Sequence, residues 1–331
     1  MEHCLTPSQL LALTIEPNWA RDDPDRRCLL AVRLESQSHL DPDETARLSA
    51  WLAQQPIPVI GVGEDRASSL VCAVDVVVDT ASELELLKGQ IEKYPRACAV
   101  LVQVLRATGE LDPLAGLAME SMAYAALQGG AEFARWLEER PPMQPKSRSA
   151  ENLVLLERDG DNLRIVLNCP ENRNALSAPM RDALTDAFRL AVQDSTINSI
   201  DVSARGPCFS AGGDLSEFGT MTDLARAHSV RMTHMPARYL AACRERCTFH
   251  LHGACIGAGI ELPAFAARLV AKPDTTFRLP EVSMGLIPGA GGCVSIPRRI
   301  GRQQTARMAI LGETVTAEQA LGWGLIDEIA E

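Results

Sequence analysis

Two stretches, CFSAGGDLSEF (208–218) and HGACIGAGIELPAF (252–265), share one grammar: a strand-like run, a glycine-rich turn, then a helix start. Such a turn needs the backbone freedom of glycine, and it leaves N–H groups at the start of a helix without carbonyl partners. The surrounding text keeps the same rhythm. LRIVLN reads as a strand. SAPMRDALTDAFRLAVQ reads as a helix, with Ser177 as N-cap and Pro179 in its first turn. INSIDVSA, TFHLHG and RLVAK read as further strands. LARAHSVRMTHMPARYLAACRER makes a long helix that Pro236 should kink. Alternation of this kind specifies α/β layers with largely parallel pairing.

The pattern starts after a break. PPMQPKSRSAEN (141–152) holds three prolines and two basic residues and lacks apolar periodicity, the composition of a linker. It divides 331 residues into segments of similar size: 1–140, a linker at 141–151, and 152–331. At about 150 residues per domain, two domains are expected. In the first segment LLALTI and LLAVRL suit strands, Asp41 to Gln54 a helix, and PIPVIGVG and VDVVVD short buried strands. From Ser82 the pattern is helical, interrupted near Pro95 and at Gly109–Pro113. The first segment is therefore an α/β unit ending in a helical tail.

Composition narrows the function classes. Net charge is −11, which argues against a nucleic-acid binder driven by bulk charge. The first 150 residues carry 14 basic and 22 acidic groups and the remainder 18 and 21, so the second half is the better host for an anionic ligand. No uncharged apolar run reaches the roughly 18 residues of a membrane helix, and MEHCLTPSQL lacks the features of a signal peptide. The ten cysteines show no framework spacing and read as reduced core residues, with a cytoplasmic location expected.

Two glutamates stand close to the glycine-rich turns. Glu261 opens the helix after the second turn, between Ile260 and Leu262. Glu281 follows 20 residues later, between Pro280 and Val282. A carboxylate in apolar surroundings must be paired or have a raised pKa, and either state suits acid–base work. Two converging turns would offer two main-chain donors to an oxyanion. Cys243, Cys247, His250 and His252 invite a zinc reading, but the spacing matches no standard site, and no metal is expected. Arg298, Arg299, Arg302 and Arg307 read first as a solvated helix face, or else as a contact for ligand phosphates or a neighbouring subunit. Arg231 and His234, one helical turn apart, are candidates for lining a substrate pocket.

Residues 163–331 resemble the crotonase superfamily, the enoyl-CoA hydratases and isomerases. The resemblance rests on five blocks in order: LNCPENRNALSAPMRDAL, CFSAGGDLSEF, HGACIGAGIEL, LPEVSMGLIPGAGG and TAEQALGWGLIDEI. It implies a crotonase-like spiral of ββα repeats and an acyl-CoA substrate, with coenzyme A entering as part of that substrate and no separate cofactor. It implies main-chain donors at Gly213 and Ala258. It implies that Glu261 orients and deprotonates the water that adds at the β-carbon, and that Glu281 exchanges the proton at the α-carbon. Ala175, Ala211, Gly212 and Asp214 fall at substrate-binding positions, as do Leu215, Gly257, Pro280 and Gly289. Enoyl-CoA hydratase is the leading expectation, with enoyl-CoA isomerase or a non-catalytic acyl-CoA-binding scaffold as alternatives. The family also implies a homo-oligomer, trimeric or hexameric.

The sequence departs from the family pattern in several places. Ala267–Arg268 replaces an acidic position, Arg278 replaces a glycine, and Cys247, His250 and His252 interrupt an apolar run. All are expected near the acyl pocket or its floor. The family's helical tail would follow GLIDEI, where this chain stops. Residues 75–106 and 117–142 resemble that tail instead, with Arg106 and Arg140 at basic positions and Glu139 where lysine is common. Residues 1–140 therefore read as a degenerate crotonase copy, without either glutamate, whose helices can pack on the catalytic segment.

Overall fold

The computed structural model describes residues 4–14, 27–34, 40–141 and 152–330. Of the expected linker, only Pro141 falls among them.

The first segment runs α1 (Pro7–Leu13), β1 (Leu30–Arg33), α2 (Pro42–Ala53), β2 (Val59–Val62) and β3 (Val76–Val78). The helices α3 (Ala81–Lys93), α4 (Pro95–Thr108), α5 (Pro113–Gln128) and α6 (Ala131–Glu139) follow. The strands form a parallel sheet in the order β1-β2-β3. LLALTI is not a strand, because its described part lies in α1. Thr6 and Gln9 form a reciprocal capping box and Pro7 occupies the first turn, so local start signals override the apolar run. The helix breaks fall where proline and glycine placed them, with Asp112 capping α5. Glu132 on α6 accepts the Arg96 and Ala97 amides (2.7 and 3.0 Å) at the start of α4.

The second segment continues with β4 (Val154–Asp159), β5 (Asn162–Leu167), α7 (Ala178–Gln193), β6 (Ser199–Ala204), α8 (Leu224–His234), α9 (Ala237–Cys243) and β7 (Cys247–Leu251). Then come β8 (Ala254–Ile256), α10 (Ala258–Glu261), β9 (Arg268–Ala271), β10 (Thr276–Arg278), α11 (Gly292–Ser295), α12 (Pro297–Leu311), β11 (Val315–Thr316), α13 (Ala317–Trp323) and β12 (Glu328–Ile329). One sheet has the order β12-β9-β7-β6-β5-β4, parallel except for the β4–β5 hairpin. A smaller sheet has the order β11-β10-β8.

Three local expectations are corrected. Pro236 does not kink one long helix but separates α8 from α9, since the helix cannot carry its ring and missing N–H. The turn after Gly213 leads into three residues of 3-10 helix, Leu215–Glu217, not a longer helix. Glu261 closes the short α10 instead of opening it.

One hydrophobic core crosses the segment boundary. It joins Leu87, Leu101, Leu105 and Leu117 of the helical tail to Ile287, Val294, Ile296 and Met308 of the second segment. A smaller cluster around Leu10, Leu48, Leu52 and Leu70 stays within the first segment. Three of the four arginines of α12, Arg298, Arg302 and Arg307, reach across the junction, so this helix face is not simply solvated. Arg302 pairs with the buried Asp75 (3.1 Å), which also binds Arg106. Arg307 pairs with Glu83 (3.0 Å). Arg298 donates to the Thr108 and Leu111 carbonyls (3.3 and 2.7 Å). Arg299 is bound to the Ala264, Ala266 and Leu325 carbonyls and to Asp327.

Candidate active site

The two glycine-rich turns meet side by side. Ile256 donates to the Ser210 carbonyl (3.0 Å), and Ser210 donates to that of Ala254 (3.2 Å). This pairing places Gly213 and Ala258 on one cleft, with about 200 Å³ of space open to water. Among the described residues neither the Gly213 nor the Ala258 amide has an acceptor. Glu261, Glu281, Asp214 and Gly289 also line this cleft. Ala175, Ala211, Gly212, Leu215, Gly257 and Pro280 stand behind its lining residues. They belong to the supporting backbone: Gly212 accepts from the Leu176 amide (2.7 Å), and Ala211 donates to the Arg173 carbonyl (2.9 Å).

Gly257 fixes the relation between the two glutamates. Its φ is +49°, a conformation that penalises a side chain. The point where its Cβ would stand lies 2.4 Å from Glu281 Oε1 and 3.7 Å from Glu261 Oε1. The missing side chain is what lets both carboxyl groups converge.

Glu261 is fastened by one oxygen. Its Oε2 accepts the Ala290 and Gly292 amides (2.7 and 3.0 Å). Burial pushes its pKa up to about 7, against the opposing pull of those amides. Glu281 is also buried, and its Oε2 has no hydrogen-bond partner. Burial, then the neighbouring charge of Glu261, holds its carboxyl well above the usual range.

A third buried acid was not anticipated. Glu120, on α5, accepts the Gly291 and Cys293 amides (2.7 and 2.8 Å). Burial and the charge of Glu261 raise its pKa well above normal. A signal was present, because Glu120 is the one charged residue in the helix PLAGLAMESMAYAALQ. Tyr124 and Gln128 of the same helix line the cleft. Gly289 admits the Tyr124 ring, since a Cβ there would lie 2.4 Å from its Cδ2.

Arg231 faces the cleft as expected, whereas His234 is exposed and its ring contacts Thr233. None of the departures from the family pattern lines the cleft, although Arg278 stands close behind it, its carbonyl accepting the Gly257 amide (2.9 Å) and its charge acting on Glu281. Arg278 donates to the Gly312 carbonyl (2.6 Å), and Arg268 pairs with Glu328. His250 contacts Asp201 and His252 the Gly206 carbonyl (both 3.0 Å), while the Cys243 and Cys247 sulfurs lie 3.8 Å apart. The two histidines thus engage different partners. Arg140 binds the Leu215 and Phe218 carbonyls beside the cleft, while Glu139 is exposed.

A family model described as enoyl-CoA hydratase/isomerase matches residues 160–331. The chain belongs to this family. Members of the enoyl-CoA hydratase/isomerase family act on acyl-CoA substrates. Among curated relatives, 2,3-dehydroadipyl-CoA hydratase of Escherichia coli is 31% identical over 53% of this chain and 68% of its own length. Trans-2-decenoyl-[acyl-carrier-protein] isomerase of Streptococcus mutans is 29% identical, over 54% of this chain and 69% of its own. A solved structure from Mycobacterium abscessus, described as an enoyl-CoA hydratase/isomerase, matches with a TM-score of 0.51 and 30% identity, covering 54% of this chain and 70% of that one. The second segment therefore has the crotonase fold. Among the described residues no helix is long and apolar enough to cross a membrane.

Proposed function

We propose that this protein adds water across the α,β double bond of an enoyl-CoA thioester. One observation carries the reading: two buried carboxyl groups converge beside Gly257, on a cleft that also exposes the unpartnered Gly213 and Ala258 amides.

The thioester carbonyl accepts from the Gly213 and Ala258 amides. Glu261, titrating at about 7, is the base. It takes a proton from water as the water oxygen bonds to the β-carbon. The π electrons move toward the α-carbon and the carbonyl oxygen, where negative charge grows. The two amides stabilise that charge most strongly in the transition state, each worth ~10²–10³ in rate. Glu281, held protonated by burial and by the charge of Glu261, delivers its proton to the α-carbon. The product gains one water, and proton exchange between the carboxyl groups resets the site. Environments that push the two pKa values apart suit one acid and one base.

Helix α5 covers this site from the first segment, with Tyr124 and Gln128 on the cleft wall and Glu120 bound to the Gly291 and Cys293 amides. A second reading, double-bond isomerisation, is favoured by the unpartnered Oε2 of Glu281, which could shuttle a proton alone. Product mass separates the two. Incubation with a panel of enoyl-CoA thioesters should yield products heavier by one water. Products of unchanged mass and shifted double bond would replace hydration with isomerisation.

A further inference from the structure

The cleft carries a cation, Arg231, that forms no ion pair among the described residues, although the charge of the buried Glu120 acts on it at longer range. Arg231, on α8, reaches across to α5. Its Nε donates to Ser121 Oγ (3.0 Å), one terminal nitrogen to the Ser121 carbonyl (3.3 Å) and the other to Gln128 Oε1 (3.2 Å). Its guanidinium lies 4.8 Å over the Tyr124 ring. A guanidinium has about five N–H donors, so roughly two remain for the cleft. Among the described residues no Asp or Glu lies within ion-pair distance of Arg231, whereas Arg181, on the same wall, pairs with Asp182 (2.8 Å).

The acidic groups around Arg231 are otherwise engaged. Glu217 accepts the Ala178 amide with both oxygens (3.0 and 2.9 Å). Asp214 is bound by Ser216 and Asn172. Glu120 is committed to Gly291 and Cys293, and Glu261 and Glu281 stand at the reactive end. Partial burial already lowers the Arg231 pKa, so its charge is held at a cost that an anionic ligand would offset. The ring beneath it and the three bonds around it fix its direction in advance.

We propose that the cleft selects acyl-CoA substrates whose acyl chain ends in a carboxylate, with Arg231 as the residue that receives it. This rests on the acyl-CoA reading of the site and adds the chemistry of the far end of the chain. A carboxylate would take the remaining donors as charge-assisted bonds, which are stronger than those to a neutral keto or hydroxyl group.

The test uses saturated ligands, so it does not depend on turnover. Kd values of the full-length protein are measured by calorimetry for hexanoyl-CoA and for hexanedioyl-CoA, of equal chain length. The expected result is a preference of about 10-fold for hexanedioyl-CoA, narrowing as salt rises. In Arg231→Gln the preference should vanish, and in Arg231→Lys part of it should return. Equal or tighter binding of hexanoyl-CoA, loss of binding for both, or a preference that survives in Arg231→Gln would each overturn the proposal. If Arg231→Gln does not fold, the comparison in the unaltered protein still decides. A preference without water addition to the unsaturated thioesters would sink the hydratase reading and leave this one standing. Water addition without a preference would do the reverse.

Discussion

Glu120 and Glu261 grip alternate amides of one loop. Ala290 and Gly292 donate to Glu261, while Gly291 and Cys293 donate to Glu120. The four residues lie at the entry to α11, where backbone N–H groups have no helical partners. One carboxylate comes from the segment that carries the family motifs and the other from the helical tail ahead of it.

Replacing Glu120 tests whether this grip matters for chemistry. An amide at the position of Glu120→Gln keeps one acceptor and turns a donor toward the other N–H. Leaving a buried amide unpaired costs about 1–3 kcal/mol. The thermal midpoint should fall. Turnover should fall more than KM rises, because the loop orients Glu261 and not the coenzyme. An unchanged kcat in a folded Glu120→Gln protein would show that the loop does not need this second grip.

The buried acids also set a pH dependence of stability. Burial raises the pKa of Glu261 to about 7 in the folded protein, from about 4.5 when exposed. Between those values the folded state binds more protons than the unfolded state, so stability falls as pH rises. The contribution is complete below about pH 4.5 and lost above about pH 7. Glu281 and Glu120 shift in the same direction and extend the decline upward. Denaturant midpoints across this range should decrease with pH, and Glu261→Gln should flatten the slope. A stability that climbs from pH 5 to pH 7 would contradict the burial argument.

Gly257 is predicted to tolerate no side chain. In Gly257→Ala the new methyl would meet Glu281 Oε1 at 2.4 Å in a backbone conformation with φ of +49°. With ψ at −119° the residue lies outside the left-handed helical region as well, and the conformational penalty alone is about 1–3 kcal/mol. Activity should drop by at least ~100-fold, since displacing a carboxyl by even 1 Å breaks its alignment. Near-normal turnover with normal folding would mean that the carboxyl pair is not the reacting pair.

Much of this site was legible in local text, and the rest was not, for a physical reason. Ser177, Pro95 and Pro236 act within one turn of themselves, so helix starts and breaks follow from neighbours a few residues away. Glu261 and Glu281 stood out because both sit among apolar residues beside glycine-rich turns. Glu120 meets Gly291 across 171 positions of chain, a relation no spacing within one helix can express. The arginines of α12 misled in the same way. Their helix face looks charged and solvated, but Asp75 and Glu83, more than 200 positions earlier, fold over it. LLALTI misled because apolar runs suit strand and helix alike, and the Thr6–Gln9 box decided between them.

The helical tail is predicted to be inseparable from the catalytic segment. Residues 152–331 alone would expose the faces covered by Leu101, Leu105 and Leu117 and leave Glu261 without its companion at the loop. That fragment should be insoluble or inactive. Within the full chain, Asp75→Asn should destabilise by about 3–5 kcal/mol, because it strips Arg106 and Arg302 of a shared buried partner. A soluble, active fragment would contradict this interdependence.

The most direct measurement follows isotopes through one reaction. An enoyl-CoA thioester is incubated with the protein in deuterium oxide enriched in oxygen-18, and the product is analysed by mass and by position of label. The account predicts one oxygen-18 at the β-carbon and one deuterium at the α-carbon, with both lost in Glu281→Gln while acyl-CoA still binds. Deuterium without oxygen-18, or turnover in Glu281→Gln at the unaltered rate, would contradict it.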